Sequence, residues 1–165
     1  VAKNFEIVRE FDYPVDQAYE AITSDEAIAA RYKEYEGLTY EAGLADDGFH
    51  ALEVNIPIAG NALPPVVTKI LKGTLTINRV DRWSPLVDGK ATGTFLGKSS
   101  GVPSSSEGTY ILEPTENGSQ LRAIGSVKVK IPLVGGKIED ASMELVSKML
   151  KFECDAAERW VKARS

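Results

Sequence analysis

The stretch from Gly135 to Arg164 reads GGKIEDASMELVSKMLKFECDAAERWVKAR, about eight helical turns at 3.6 residues each. Apolar or small residues recur at Ile138, Ala141, Leu145, Met149, Phe152, Ala156 and Trp160, in steps of three or four. Val146, Leu150, Cys154, Ala157 and Val161 widen that stripe, while Lys137, Glu144, Lys148, Lys151, Glu158 and Lys162 take the other side. This is the pattern of an amphipathic helix. Pro132 and the Gly135-Gly136 pair mark its start, Glu139 and Asp140 sit in its first turns, and Arg159, Lys162 and Arg164 complement its last. Burying the stripe is worth roughly 10–20 kcal/mol gross, at ~1.5–3 per large side chain, and the entropy of ordering offsets most of it. The helix cannot stand alone, so the preceding residues must supply its apolar partner.

Those residues read mainly as strands. Lys3 to Tyr13 alternates, with Phe5, Ile7, Phe11 and Tyr13 sharing a face with Arg9. Pro14 suits a first helical position, and Val15, Ala18, Tyr19 and Ile22 give a short amphipathic helix. A T-x-x-E capping box at Thr23–Glu26 opens a second one, through Tyr35. After Gly37, Leu38–Ala45 and Phe49–Pro57 flank the turn signal Asp46-Asp47-Gly48. Gly60–Leu71 breaks the strand rhythm with Pro64-Pro65 and the apolar Val66, Val67, Ile70 and Leu71, a loop with one or two helical turns. Strands follow at Gly73–Trp83 and Lys90–Lys98, then a mobile Gly/Ser-rich loop at Ser99–Ser106. The last hairpin joins Glu107–Glu113 to Ser119–Ile131 through Asn117-Gly118. A two-residue turn there sets Leu112 opposite Ala123 and Tyr110 opposite Gly125, with Glu113 meeting Arg122 on the wet side. Strand, two short helices, six hairpin-linked strands and a long helix make an α+β layer architecture with a seven-stranded antiparallel sheet.

Composition narrows the function classes. The 165 residues suit a single domain, residues 1–165, with a real core. A formal net charge of −5 argues against nucleic acid as the main partner. No run approaches the ~18 apolar residues of a membrane span. The single Cys154 on an apolar helix face reads as a small buried hydrophobe. With no secretory pattern in the first residues, a cytoplasmic location is expected. Glu, Cys and His do not cluster at metal-ligand spacing, no nucleophile motif is present, and no cofactor is expected. Gly97-Lys98-Ser99 looks like the end of a phosphate loop, but Thr92 stands where that pattern requires Gly.

Several strings carry a family resemblance: G-T-Y-I-L-E-P at Gly108–Pro114, the N-G-S turn, V-K-V-K-I-P-L-V-G-G-K-I-E at Val127–Glu139, Leu63-Pro64 and Arg82-Trp83. With the order of elements, they make the chain resemble the helix-grip, START/Bet v 1-like (SRPBCC) superfamily over nearly its whole length. Within it, the strings resemble an uncharacterised bacterial family, a domain of unknown function. The resemblance implies a sheet curved around the C-terminal helix, with a cavity between them often used for lipids or other apolar small molecules. The candidate ligand-binding residues are Arg9, Phe11, Leu52, Ile56, Phe95, Tyr110, Leu112, Leu145, Met149 and Phe152. They either line such a cavity or fill it as core. Small inward residues at Ala91, Gly93, Ala123 and Gly125 indicate empty space or close backbone packing.

Polar candidates are few. Arg9 is read either as an anchor for a ligand carboxylate or phosphate, or as paired with an internal Glu or ending near solvent. Arg79 and Asp81 share the inward parity of Leu75 and Ile77 and are read as a mutual or bulge-exposed pair. His50 and Tyr110 are read as structural, with no acid–base pair facing inward and no catalytic residue assigned. Binding of an apolar ligand, with Gly60–Leu71 as lid, is therefore the first expectation. A polyketide cyclase or dehydratase acting in the same cavity is the alternative, and protein partners are left open.

Overall fold

The structure, a computed structural model, describes residues 2–71 and 73–165. Strand β1 (Lys3–Phe11) leads into helices α1 (Val15–Thr23) and α2 (Asp25–Tyr32). Next come β2 (Thr39–Leu44) and β3 (His50–Ile58), a 3-10 turn at Gly60–Ala62 and the one-turn helix α3 (Pro65–Thr68). Strands β4 (Leu75–Trp83), β5 (Ala91–Ser100), β6 (Ser104–Thr115) and β7 (Gly118–Val129) precede the long helix α4 (Gly135–Ala163). All seven strands form one antiparallel sheet in the order β1-β7-β6-β5-β4-β3-β2. Each strand after β2 pairs with its predecessor, and only β1 crosses to close against β7. The sheet grips α4, which makes this the helix-grip fold. None of the helices among the described residues is long and apolar enough to cross a membrane.

Alternation places the core as the sequence suggests. Phe5 and Phe11 of β1, Leu52, Val54 and Ile56 of β3, and Tyr110, Leu112, Leu121, Ala123 and Val127 of the last hairpin are all buried. Two of the small inward positions serve close packing. A Cβ on Gly93 would lie 3.0 Å from Trp83 and 3.1 Å from Tyr110, and one on Gly125 would lie 2.7 Å from Phe95. The missing side chains thus leave room for aromatic rings.

Four local expectations need correction. The last hairpin turns at Glu116-Asn117: Thr115 pairs with Gly118, Leu112 with Leu121 and Tyr110 with Ala123. That shift of two keeps every side chain on its expected face, and Glu113 reaches Arg122 diagonally at 3.5 Å. Neither Asn117 nor Gly118 has a positive φ. Gly118 is needed for a different reason, since a Cβ there would stand 2.2 Å from the carbonyl oxygen of Phe11 in β1. The Ser99–Ser106 stretch is mostly strand, with Lys98 paired to Ser105 and only Gly101-Val102-Pro103 turning. Serine hydroxyls support this tight end, the Ser99 hydroxyl donating to the Val102 carbonyl at 2.8 Å. The cap of α2 is Ser24, whose Oγ accepts from Ala27 N at 3.2 Å, while Thr23 ends α1 and bonds back to the Tyr19 carbonyl. Helix α2 itself stops at Tyr32.

The stripe of α4 is also rotated from its expected centre. Leu150, Glu153, Cys154, Ala157 and Val161 are buried, whereas Leu145, Met149, Phe152 and Trp160 are only half-buried. The C-terminal half packs on α1 and α2, where the buried alanines Ala18, Ala21 and Ala27 allow close approach.

Candidate functional site

Between the sheet and the N-terminal half of α4 lies a cavity of about 100 Å³, counted as room for the centres of water-sized spheres. On that measure one water needs about 10–15 Å³, so the space exceeds a packing defect. Phe5, Phe95, Val127, Ile138, Val146 and Met149 contribute to a largely apolar wall, and Val67 of α3 contributes from the Gly60–Leu71 segment. Ser99, Ser104, Ser105, Ser106 and Ser142 line part of it. Of the expected binding residues, Ile56, Phe95, Tyr110, Leu145 and Met149 line this cavity.

The other five lie elsewhere. Leu52 lines a second, smaller space of about 40 Å³, separated from the first by Tyr110 and Leu150, which line both. Leu112 is fully buried core, and Phe11 stacks on Tyr13 with centroids 4.9 Å apart. Phe152 meets Tyr35 edge-on at 5.7 Å. Arg9 pairs with Asp155 at 2.8 Å and Glu158 at 3.6 Å on α4, so its internal ion-pair reading is the one the geometry takes up. Burial opposes its charge, but Asp155, Cys154 and Glu158 together outweigh it and raise the guanidinium pKa. His50 lines the smaller space and meets the Tyr19 ring edge-on at 5.8 Å.

The inward pair Arg79 and Asp81 belongs to a larger buried cluster at the boundary of the two spaces, with a second carboxylate, Glu153, that the sequence reading did not place there. Alternation along β4 brings Arg79 and Asp81 inward, and α4 brings Glu153 to meet them. Arg79 donates from Nε to Asp81 Oδ1 at 3.0 Å and from Nη2 to Glu153 Oε1 and Oε2 at 2.9 and 3.0 Å. Its Nη2 also lies 3.0 Å from Asp81 Oδ2, completing a fork. Tyr32 donates its hydroxyl to Glu153, and Tyr110 donates to Asp81 Oδ1 at 3.3 Å. Arg31 stacks on Tyr32, its guanidinium 5.4 Å from the ring centroid, and donates from Nη2 to the Ala21 and Ile22 carbonyls. Asp81 and Glu153 are only 5% and 9% exposed, so each needs such partners to remain charged.

The two carboxylates respond differently to burial. Desolvation pushes Glu153 up, but the charges of Arg79 and Arg31 and the hydrogen bonds from Tyr32 and Arg79 outweigh it and hold the carboxyl below its ordinary value. For Asp81 desolvation wins over Arg79, and its pKa is raised. Burial also opposes the charge on Arg79, yet Asp81 and Glu153 lift its pKa well above the ordinary value. Tyr110 is raised, first by burial and then by Asp81, so its hydroxyl keeps its proton.

Glu153, Tyr32 and Arg31 were not singled out from the sequence. The usable signal was Glu153, a carboxylate one turn from both Leu150 and Ala157 inside the widened apolar stripe. An inward Arg79 and an inward Glu153 each implied the other.

Fold and cavity together define a helix-grip protein with a largely apolar space between sheet and helix. A family model described as a protein of unknown function (DUF2505) matches residues 6–161, and the chain belongs to that family. An uncharacterized protein of Mycobacterium tuberculosis is 24% identical over 168 residues, covering 96% of this chain and 97% of that protein. Among solved structures, a protein from Thermus thermophilus superposes with a TM-score of 0.65 at 14% identity, covering 99% of both chains. The Zhui aromatase/cyclase from Streptomyces sp. R1128 gives 0.65 at 11% identity, covering 99% of this chain and 96% of that one. At these identities the likeness is one of fold.

Proposed function

We propose that the chain binds an apolar small molecule or lipid in the cavity between α4 and the sheet, in the cytoplasm. The single observation that carries this reading is the cavity itself, apolar over most of its wall and bounded at one place by Arg79 and Tyr110. Ile56, Phe95, Tyr110, Leu145 and Met149 would touch the ligand, and the segment holding Val67 would serve as its lid. The net charge of −5 supports a non-nucleic-acid partner.

A second reading, a cyclase or dehydratase acting in the same space, draws on the Arg79–Asp81–Tyr110–Glu153 cluster and on the aromatase/cyclase name of the Streptomyces neighbour. Binding is preferred because the cluster's carboxylates are already engaged: Glu153 accepts from Tyr32 and Arg79, and Asp81 from Arg79 and Tyr110. A general base must have its lone pair free to reach a substrate proton. Solvent extraction of the purified protein followed by mass spectrometry tests the proposal. An apolar compound recovered from the parent and lost from Met149→Trp supports binding in this cavity. Equal recovery from both contradicts it, and pairs of compounds differing by one water would favour the dehydratase.

A further inference from the structure

The charges at the inner boundary of the cavity are already balanced. Arg79 and Arg31 stand with Asp81 and Glu153, two guanidiniums with two carboxylates; Arg31, Asp81 and Glu153 are buried and the Arg79 side chain is 12% exposed. Hydrogen-bonding capacity is not balanced in the same way. The bonds of Arg79 use Nε and Nη2, leaving Nη1 unengaged among the described residues of a cavity-lining side chain. Arg31 Nε is buried and has no partner, and its side chain lines the smaller space beyond Tyr110 and Leu150. The Tyr110 hydroxyl gives its proton to Asp81 and keeps lone pairs that can accept. The inner boundary therefore offers unsatisfied hydrogen-bonding positions without a surplus of positive charge.

We infer that the occupant of the cavity ends in an uncharged oxygen, an alcohol or a ketone, and that the balanced Arg79–Asp81–Glu153–Arg31 cluster selects it over a carboxylate or phosphate of the same apolar body. This rests on the cavity-binding reading above. A neutral oxygen accepts from Arg79 Nη1, which has no protein partner among the described residues. A carboxylate could accept the same bond, but it would bring an extra negative charge beside Asp81 and Glu153 with no cation left to compensate it. The remaining charged residue lining the cavity, Lys98, is exposed, where water screens it. An arginine on a pocket wall usually suggests an anionic ligand; here the carboxylates that hold the arginine remove that attraction.

Competition against the uncharged dye Nile red tests the inference, using 1-decanol, 2-decanone and decanoate at neutral pH. In the parent protein, the alcohol or the ketone should displace the dye at concentrations about tenfold or more below those needed for decanoate. Asp81→Asn removes one negative charge with little change of shape and should move the preference toward decanoate by a similar factor. Glu153→Gln does the same from the helix side if the first variant does not fold. Should neither fold, the parent ranking alone decides. A parent that prefers decanoate, or folded variants whose ranking matches the parent's, would overturn the inference while leaving the cavity-binding reading in place. A parent that takes up no dye and responds to none of the three compounds would overturn the binding reading itself, and this inference with it.

Discussion

The two halves of α4 carry similar apolar stripes and meet different surroundings. From Leu150 onward the helix is packed against α1 and α2, with Leu150, Cys154, Ala156, Ala157 and Val161 buried. It is also fixed electrostatically, by Glu153 on Arg79 and by Asp155 and Glu158 on Arg9. Before Leu150 the side chains of Leu145, Val146 and Met149 are half-buried and border a cavity. One helix thus serves mostly as core at one end and as the wall of the larger cavity at the other. The difference lies in what faces it: α1 and α2 cover the C-terminal half and leave only the smaller space of about 40 Å³ there, whereas among the described helices the one-turn α3 approaches the N-terminal half.

Substitutions that exploit this contrast should rank clearly. Glu153→Ala strips Arg79 of one carboxylate and Tyr32 of its acceptor inside the protein. A loss on the order of 3–5 kcal/mol is expected, as for other buried pairs broken from one side, read as a shift of the urea midpoint. Val161→Phe, at a buried position that borders neither space, overfills the packed half and should cost ~1–3 kcal/mol. Met149→Trp adds a comparable volume in the open half, and the cavity should absorb it with a cost below ~1 kcal/mol. Equal costs for the last two would erase the distinction between the halves.

The smallest effect concerns Cys154. Burial pushes its thiol up to about 12, so the folded protein holds that proton more tightly than the unfolded chain, whose thiol titrates near its ordinary value of about 9. The contribution to stability is fully present below pH ~9 and is lost as pH rises toward the folded value. Tyr32 and Tyr110 are raised in the same direction, first by burial and then by Glu153 and Asp81 respectively. Melting temperature should therefore hold near neutrality and fall progressively on the alkaline side, and Cys154 should resist thiol reagents at pH 8 until the protein unfolds. Rapid labelling under native conditions would show that the C-terminal half is not the packed one.

Much of the fold was legible in periodicity. The strand alternation put Phe5, Leu52, Ile56, Tyr110 and Leu112 inward because one buried face of a sheet leaves no other choice. The turn at Asn117-Gly118 was misplaced by one residue because dipeptide preference marks turn conformations, and Gly118 is required by the approach of β1 instead. The serines of 99–106 looked like loop because hydroxyl residues are common in loops. Their pairing into β5 and β6 depends on a register fixed from the other end of the hairpin. The site was less legible. Which apolar residues border a void and which fill the core depends on the rotation of α4 about its axis, and a stripe wider than half the helix leaves that rotation open. The cluster escaped for a related reason: Arg79 and Asp81 were seen as a pair, but Glu153 was hidden among the apolar residues of the same helix face.

The central claim is that the space beside the N-terminal half of α4 is a binding cavity. Titrating Nile red into the parent protein and into Met149→Trp tests it most directly, with circular dichroism confirming that both are folded. The account predicts saturable uptake by the parent and none by the folded variant. Undiminished uptake by folded Met149→Trp, or no uptake by the parent, would contradict it.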